Sequence, residues 1–99
     1  MNITTELADF AANTKVEDVP YDAARMLQLS LLDWIAVGRA GADEPVSRIT
    51  RDMVLSEGGA EQAAVFGTGR KLPARAAALS NGTTSHALDY DDTHFAHIG

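Results

Sequence analysis

The stretch Pro20-Tyr21-Asp22-Ala23-Ala24-Arg25-Met26-Leu27-Gln28-Leu29-Ser30-Leu31-Leu32-Asp33-Trp34-Ile35-Ala36-Val37 decides the fold class. Ala24, Leu27, Leu31, Trp34 and Ile35 recur at spacings of three and four, the period of an amphipathic helix. Leu29, Leu32 and Ala36 widen the apolar stripe, which predicts a helix buried over much of its circumference, with Trp34 in the core. Pro20 suits the first turn, where its missing N–H leaves no helical bond unmade. Gly38 and Gly41 mark the far end. Ser30 and Asp33 interrupt the apolar run, which is far too short to span a bilayer.

Outward from this segment the same period continues. Upstream, Asn2 is placed to cap a first helix, with Leu7, Phe10 and Ala11 on one face and Asn13-Thr14-Lys15 at its end. Downstream, Asp43 is expected to cap a third helix through Pro45, with Val46, Ile49, Met53 and Val54 facing inward. Gly58-Gly59 stops it. Ala63-Ala64-Val65-Phe66 reads as a short extended segment, and Gly67-Thr68-Gly69-Arg70-Lys71-Leu72-Pro73 as a turn. A fourth helix is predicted from Pro73 to Leu88. Gly82 inside it costs about 1 kcal/mol relative to alanine, which suits close approach of a neighbouring helix or ligand. The expectation is a mainly α chain, a single helical domain over residues 1–99, with at most a short extended segment near 63–67.

The composition limits what such a chain can bury. Of 99 residues, 17 are alanine, and only 28 larger apolar side chains remain. Alanine-rich helices pack closely but remove little area from water, at roughly 25 cal/mol per Å². There is no cysteine, so disulfides, thiolate metal sites and cysteine nucleophiles are excluded. The net charge is −6, with eight basic residues spread thinly. Nucleic acid and anionic membranes are therefore not expected partners. The first residues carry no basic region before an apolar core, so no signal peptide is expected, and the expected location is cytoplasmic.

The chemistry concentrates in His86-Ala87-Leu88-Asp89-Tyr90-Asp91-Asp92-Thr93-His94-Phe95-Ala96-His97-Ile98-Gly99. This segment holds all three histidines and no lysine or arginine. Three aspartates in four positions repel one another unless a cation, a proton or water compensates. A metal site is one reading, because His and Asp suit zinc or iron. The spacing matches no established ligand signature, and the calcium-loop glycine and glutamate are missing. Acid–base catalysis is the second reading, because a carboxylate beside imidazoles handles protons near neutral pH. The plain structural alternative is that Asp89 to Asp92 cap a following helix. Gly67-Thr68-Gly69 followed by Arg70-Lys71 resembles the start of a phosphate loop. It lacks the remaining glycine and the Gly-Lys-Ser/Thr, so a tight turn is favoured. Thr83 and His86, three apart on one helix, suggest a nucleophile–base pair, against which helical polar packing is the simpler account.

Several blocks together resemble the N-terminal part of the MmgE/PrpD family. They are Leu7-Ala8-Asp9-Phe10 with Val19-Pro20, and Leu31-Leu32-Asp33-Trp34-Ile35-Ala36-Val37 with its glycines. They continue with Val65-Phe66-Gly67-Thr68-Gly69-Arg70-Lys71-Leu72-Pro73. The most specific is Ala76-Ala77-Ala78-Leu79-Ser80-Asn81-Gly82 leading into His86-Ala87-Leu88-Asp89-Tyr90-Asp91-Asp92-Thr93-His94. The resemblance spans nearly the whole chain. It implies an incomplete helical domain, the N-terminal part of a larger enzyme that removes a proton next to a carboxylate of a small di- or tricarboxylate. No cofactor and no metal are implied.

By the same resemblance Asp89 matches the first aspartate of the family's Asp-aromatic-Asp-Asp-Thr block and is the expected catalytic residue. Thr93 and His94 are the expected substrate contacts, and Asp91 and Asp92 shape the loop. The family's histidine-proline pair, its lysines and its further histidines are not found, so the 99 residues alone are expected to be inactive. The leading expectation is a 2-methylcitrate dehydratase-like lyase, with epimerase and decarboxylase as family alternatives. A non-catalytic helical module, associating as a homo-oligomer or through exposed helix faces, is the alternative from another class.

Overall fold

The computed structural model describes residues 2–90. The chain is mainly α, with a first helix α1 over Ile3–Asn13, α2 over Tyr21–Ala40, α3 over Pro45–Glu57 and α4 over Ala74–His86. Two short strands, β1 at Ala63–Ala64 and β2 at Lys71–Leu72, lie between α3 and α4. Short 3-10 turns occupy Val16–Asp18 and Gly41–Asp43. By their contacts the residues divide into two units, Met1–Leu31 and Leu32–Gly99.

In the first unit, Asn2 caps α1 as expected: its Oδ1 accepts the Thr5 amide at 2.9 Å. That bond satisfies one of the donors that a helix start leaves open. The helix stops at Asn13, and the Pro20 carbonyl accepts the first bond of α2 from Ala24 at 3.0 Å. No residue of α1 is buried. Ile3, Leu7 and Phe10, on one face of α1, are all exposed, as are Met26 and Leu27 of α2. Gly38 is the buried residue of α2. The expectation of a second helix buried over much of its circumference is therefore not met within this chain.

In the second unit the core is small: Val54, Val65, Leu72 and Ala77, with Leu55, Ala63 and Ala76 packed against it. It lies where α3, α4 and the hairpin meet. Two expectations for α3 are corrected here. First, Glu44, not Asp43, stands at the cap, extended at φ −65° and ψ 146°. A residue before proline is driven out of the helical region, so the helix begins at Pro45. Asp43 closes the preceding 3-10 turn, and its carboxylate lies 3.8 Å from Arg48 in an exposed pair. Second, Val46, Ile49 and Met53 are exposed, and only Val54 of the expected face is buried. The inward face runs through Ser47, Arg51 and Val54 instead. The cause is a set of buried carbonyls, described below, that need donors.

Gly58 ends α3 at φ 67°, a value that side chains with a Cβ resist. The expected turn at Gly67–Arg70 is present, but it is the loop of a hairpin. Ala63 pairs with Leu72 and Ala64 with Lys71, antiparallel. The second strand was not expected. Thr68 donates its amide to the Val65 carbonyl at 3.3 Å, with Gly67 at φ 82° in the third position. A type II turn takes that value there. α4 starts one residue after Pro73 and stops at His86, short of the predicted Leu88.

Candidate functional site

Small side chains bring α4 against its neighbours. Ala77, Ser80 and Thr84 recur at intervals of three and four and are all buried. Asn81, on the same side, joins α4 to the hairpin. Its Oδ1 accepts the Phe66 amide and its Nδ2 donates to the Ala64 carbonyl, both at 2.9 Å. One amide side chain thereby satisfies two backbone groups that the two-residue strands leave open. Asn81 belongs to a motif block, but this role was not anticipated from the sequence. The signal available was a lone amide amid alanines and hydroxyls.

The far end of α4 carries the expected site. Ala87 donates to the Thr84 carbonyl at 3.3 Å, and the Asp89 amide donates to the His86 carbonyl at 2.9 Å. Asp89 itself takes φ 56°, the left-handed conformation that Asp and Asn tolerate better than most residues. The helix therefore ends in a tight turn that places Asp89 on the surface, with Tyr90 exposed beside it. Asp91, Asp92, Thr93 and His94 lie outside the described residues, as does His97. Of the three expected site residues, the structure thus places Asp89.

Thr83 donates its hydroxyl to the Leu79 carbonyl at 2.9 Å, and Ser85 to the Gly82 carbonyl at 3.0 Å. These are bonds back along the helix, in line with polar packing rather than a nucleophile–base pair. The Thr68 hydroxyl accepts the Arg70 amide at 2.9 Å within the hairpin loop. That loop leads into a strand, not a helix, so it lacks the geometry of a dinucleotide or P-loop site. A Cβ on Gly82 would meet nothing within 4 Å among the described residues, so no neighbouring helix among them approaches closely there. Close approach is made at Gly38, against Phe66, and at Gly41, against α4. Among the described residues no three His, Asp or Glu side chains gather as a metal cluster would. No helix among them is long and apolar enough to cross a membrane.

Among the described residues, the second unit carries two clefts away from Asp89. One, of about 360 Å³, is lined by Trp34, Arg39, Val65, Phe66, Thr68 and Asn81. Trp34 is 43% exposed and stands edge-on to Phe66, with ring centroids 5.3 Å apart, so it borders a cleft rather than filling the core. The other, of about 490 Å³, lies between the end of α3 and the start of α4, beside Val54, Glu57, Arg75 and Leu79.

Comparison with known proteins agrees with the motif blocks. A cis-aconitate decarboxylase-like protein, oryM, of Aspergillus oryzae (strain ATCC 42149 / RIB 40) is 32% identical over 95 residues, which cover 96% of this chain and 20% of that protein. The cis-aconitate decarboxylase of Aspergillus terreus is 32% identical over 92 residues, covering 93% of this chain and 19% of that enzyme. The chain thus spans about a fifth of the length of these relatives. No solved structure matches it. The model of the MmgE/PrpD N-terminal domain matches residues 5–99, and the chain belongs to the MmgE/PrpD family.

Proposed function

We propose that this chain is the N-terminal segment of a cytoplasmic, cofactor-independent lyase that removes a proton next to a carboxylate of a small di- or tricarboxylate. Asp89 is the proton-handling carboxylate, and Thr93 and His94 contact substrate oxygens. The observation that supports this reading is the position of Asp89. It sits in a left-handed turn at the end of α4, inside the block that carries the family resemblance, with its side chain at the surface. A base held on a fixed backbone loses little entropy when it meets substrate.

Dehydration of 2-methylcitrate is the reaction expected from the motif blocks. Decarboxylation of cis-aconitate is the second reading, favoured by the names of the relatives. In dehydration Asp89 takes the proton next to a carboxylate and hydroxide leaves as water; in decarboxylation a carboxylate leaves as carbon dioxide and the protonated Asp89 returns a proton to carbon. Residues 1–90 supply one wall of such a site and, near Asp89, no lysine or arginine in sequence to hold a polyanion. A complete site needs an anion clamp as well, so the 99 residues alone are inactive in this reading. Association, as a homo-oligomer or through exposed helix faces, belongs to the same reading, and exposed Ile3, Leu7 and Phe10 on α1 support it.

The test is turnover of cis-aconitate and of 2-methylcitrate, followed by carbon dioxide release and by loss of water. The assay compares the full-length protein, the 99-residue chain and an Asp89→Asn variant. Turnover by the full-length protein that Asp89→Asn reduces by orders of magnitude is the expected result. Undiminished turnover in that variant removes Asp89 from the mechanism.

A further inference from the structure

The turn that carries Asp89 is held by residues far earlier in the chain. Gly41 and Ala42, in the 3-10 turn Gly41–Asp43, are buried. Two donors from α3 grip their carbonyls. Ser47 Oγ donates to the Gly41 oxygen at 2.7 Å, and Arg51 Nη1 donates to the Ala42 oxygen, also at 2.7 Å. Ser47 is completely buried, so its bond is made away from water. On its other side Gly41 presses against the end of α4. A Cβ at position 41 would overlap the Thr84 carbonyl oxygen and stand 3.4 Å from the Ala87 Cβ. That same carbonyl accepts the Ala87 amide, and the next turn bond, from Asp89 to His86, follows directly. A shift of Gly41 is therefore delivered to the backbone that ends in Asp89.

We propose that Gly41 is a positioning residue for Asp89. Held by Ser47, with Arg51 on the next carbonyl at Ala42, and free of a side chain, it sets how closely the last turn of α4 approaches the 3-10 turn and so where the Asp89 carboxylate stands. This rests on the reading of Asp89 as the proton-handling group. A side chain at position 41 must push the two backbones apart. A misplacement of about 1 Å at a reacting group costs on the order of 100-fold in rate.

The experiment compares Gly41→Ala, Ser47→Ala, Asp89→Asn and a core control, Val65→Ala, in the full-length protein with cis-aconitate. Val65 lies in the core cluster, which does not include Gly41, Thr84 or Ala87. Gly41→Ala is expected to lower kcat roughly 10- to 100-fold with KM within about threefold of the parent. Val65→Ala, although less stable than the parent, keeps kcat within about twofold. If Gly41→Ala does not fold, Ser47→Ala carries the test, since it removes a donor and adds no atom. A fall in kcat of about threefold or more at unchanged KM is then expected. A kcat matching the parent, or a loss that Val65→Ala reproduces, overturns the proposal. Amide resonances of Ala87 and Asp89 separate it from the reading it rests on. If Asp89→Asn retains turnover, that reading fails, and resonances unmoved by Gly41→Ala then reject the positioning role as well. Resonances that move with Gly41→Ala and not with Val65→Ala uphold it.

Discussion

Phe66 gives its backbone amide to the side chain of Asn81 at 2.9 Å, across the junction between the hairpin and α4. The same side chain returns a donor to Ala64. Asn81→Ala leaves both backbone groups without this partner, at a cost of about 1–3 kcal/mol for each group kept from water. Asn81→Asp keeps the acceptor but sets a carboxylate oxygen against the Ala64 carbonyl. Both variants are expected to be less stable in urea titrations, and neither is expected to behave like the parent.

The conformation of Asp89 dictates which substitution tests its chemistry. At φ 56° a Cβ-bearing residue without a compensating polar side chain is strained by about 1–2 kcal/mol. Asp89→Ala is therefore expected to lower the melting temperature, Asp89→Gly to spare it, and Asp89→Asn to leave it nearly unchanged. Thermal unfolding of the three variants gives the order. An alanine as stable as the glycine would mean that the turn carries no such strain.

The inward face of α3 yields a contrast that reverses the expectation from hydrophobicity. Ile49 is 71% exposed, while Ser47 is fully buried and bonded. In the 99-residue chain Ile49→Ser is expected to stay within about 0.5 kcal/mol of the parent. Ser47→Ala is expected to cost about 1–3 kcal/mol, because the Gly41 carbonyl loses its donor away from water. Leu72→Ala, in the core, is expected to cost about 2–5 kcal/mol. Denaturant midpoints of the three variants test the order.

Ser80 Oγ and Thr84 Oγ1 are buried without a hydrogen-bond partner among the described residues. An unmet hydroxyl held away from water costs about 1–3 kcal/mol. Ser80→Ala and Thr84→Val, which remove the hydroxyl at little change of shape, are expected to maintain or raise the melting temperature. A marked drop in either would show that the hydroxyl is bonded after all.

The sequence by itself determined the local punctuation of this chain and its family. Asn2 at the first cap, Gly58 at the end of α3 and Gly67 in the hairpin turn act through sterics and bonds spanning a few residues. Such effects are legible without a fold. Asp89 entered differently, through resemblance to the family's block, and its left-handed turn came from the structure. Tertiary structure alone decided which faces are buried. Hydrophobic period pointed α3 inward through Val46, Ile49 and Met53. Buried carbonyls at Gly41 and Ala42 turned it through Ser47 and Arg51 instead, because a carbonyl shielded from water needs a donor. The same packing gave Gly41, which follows the end of α2 as expected, a contact against Thr84. That role depends on a neighbour brought in from another helix, and nothing in the residues around Gly41 encodes which neighbour that is.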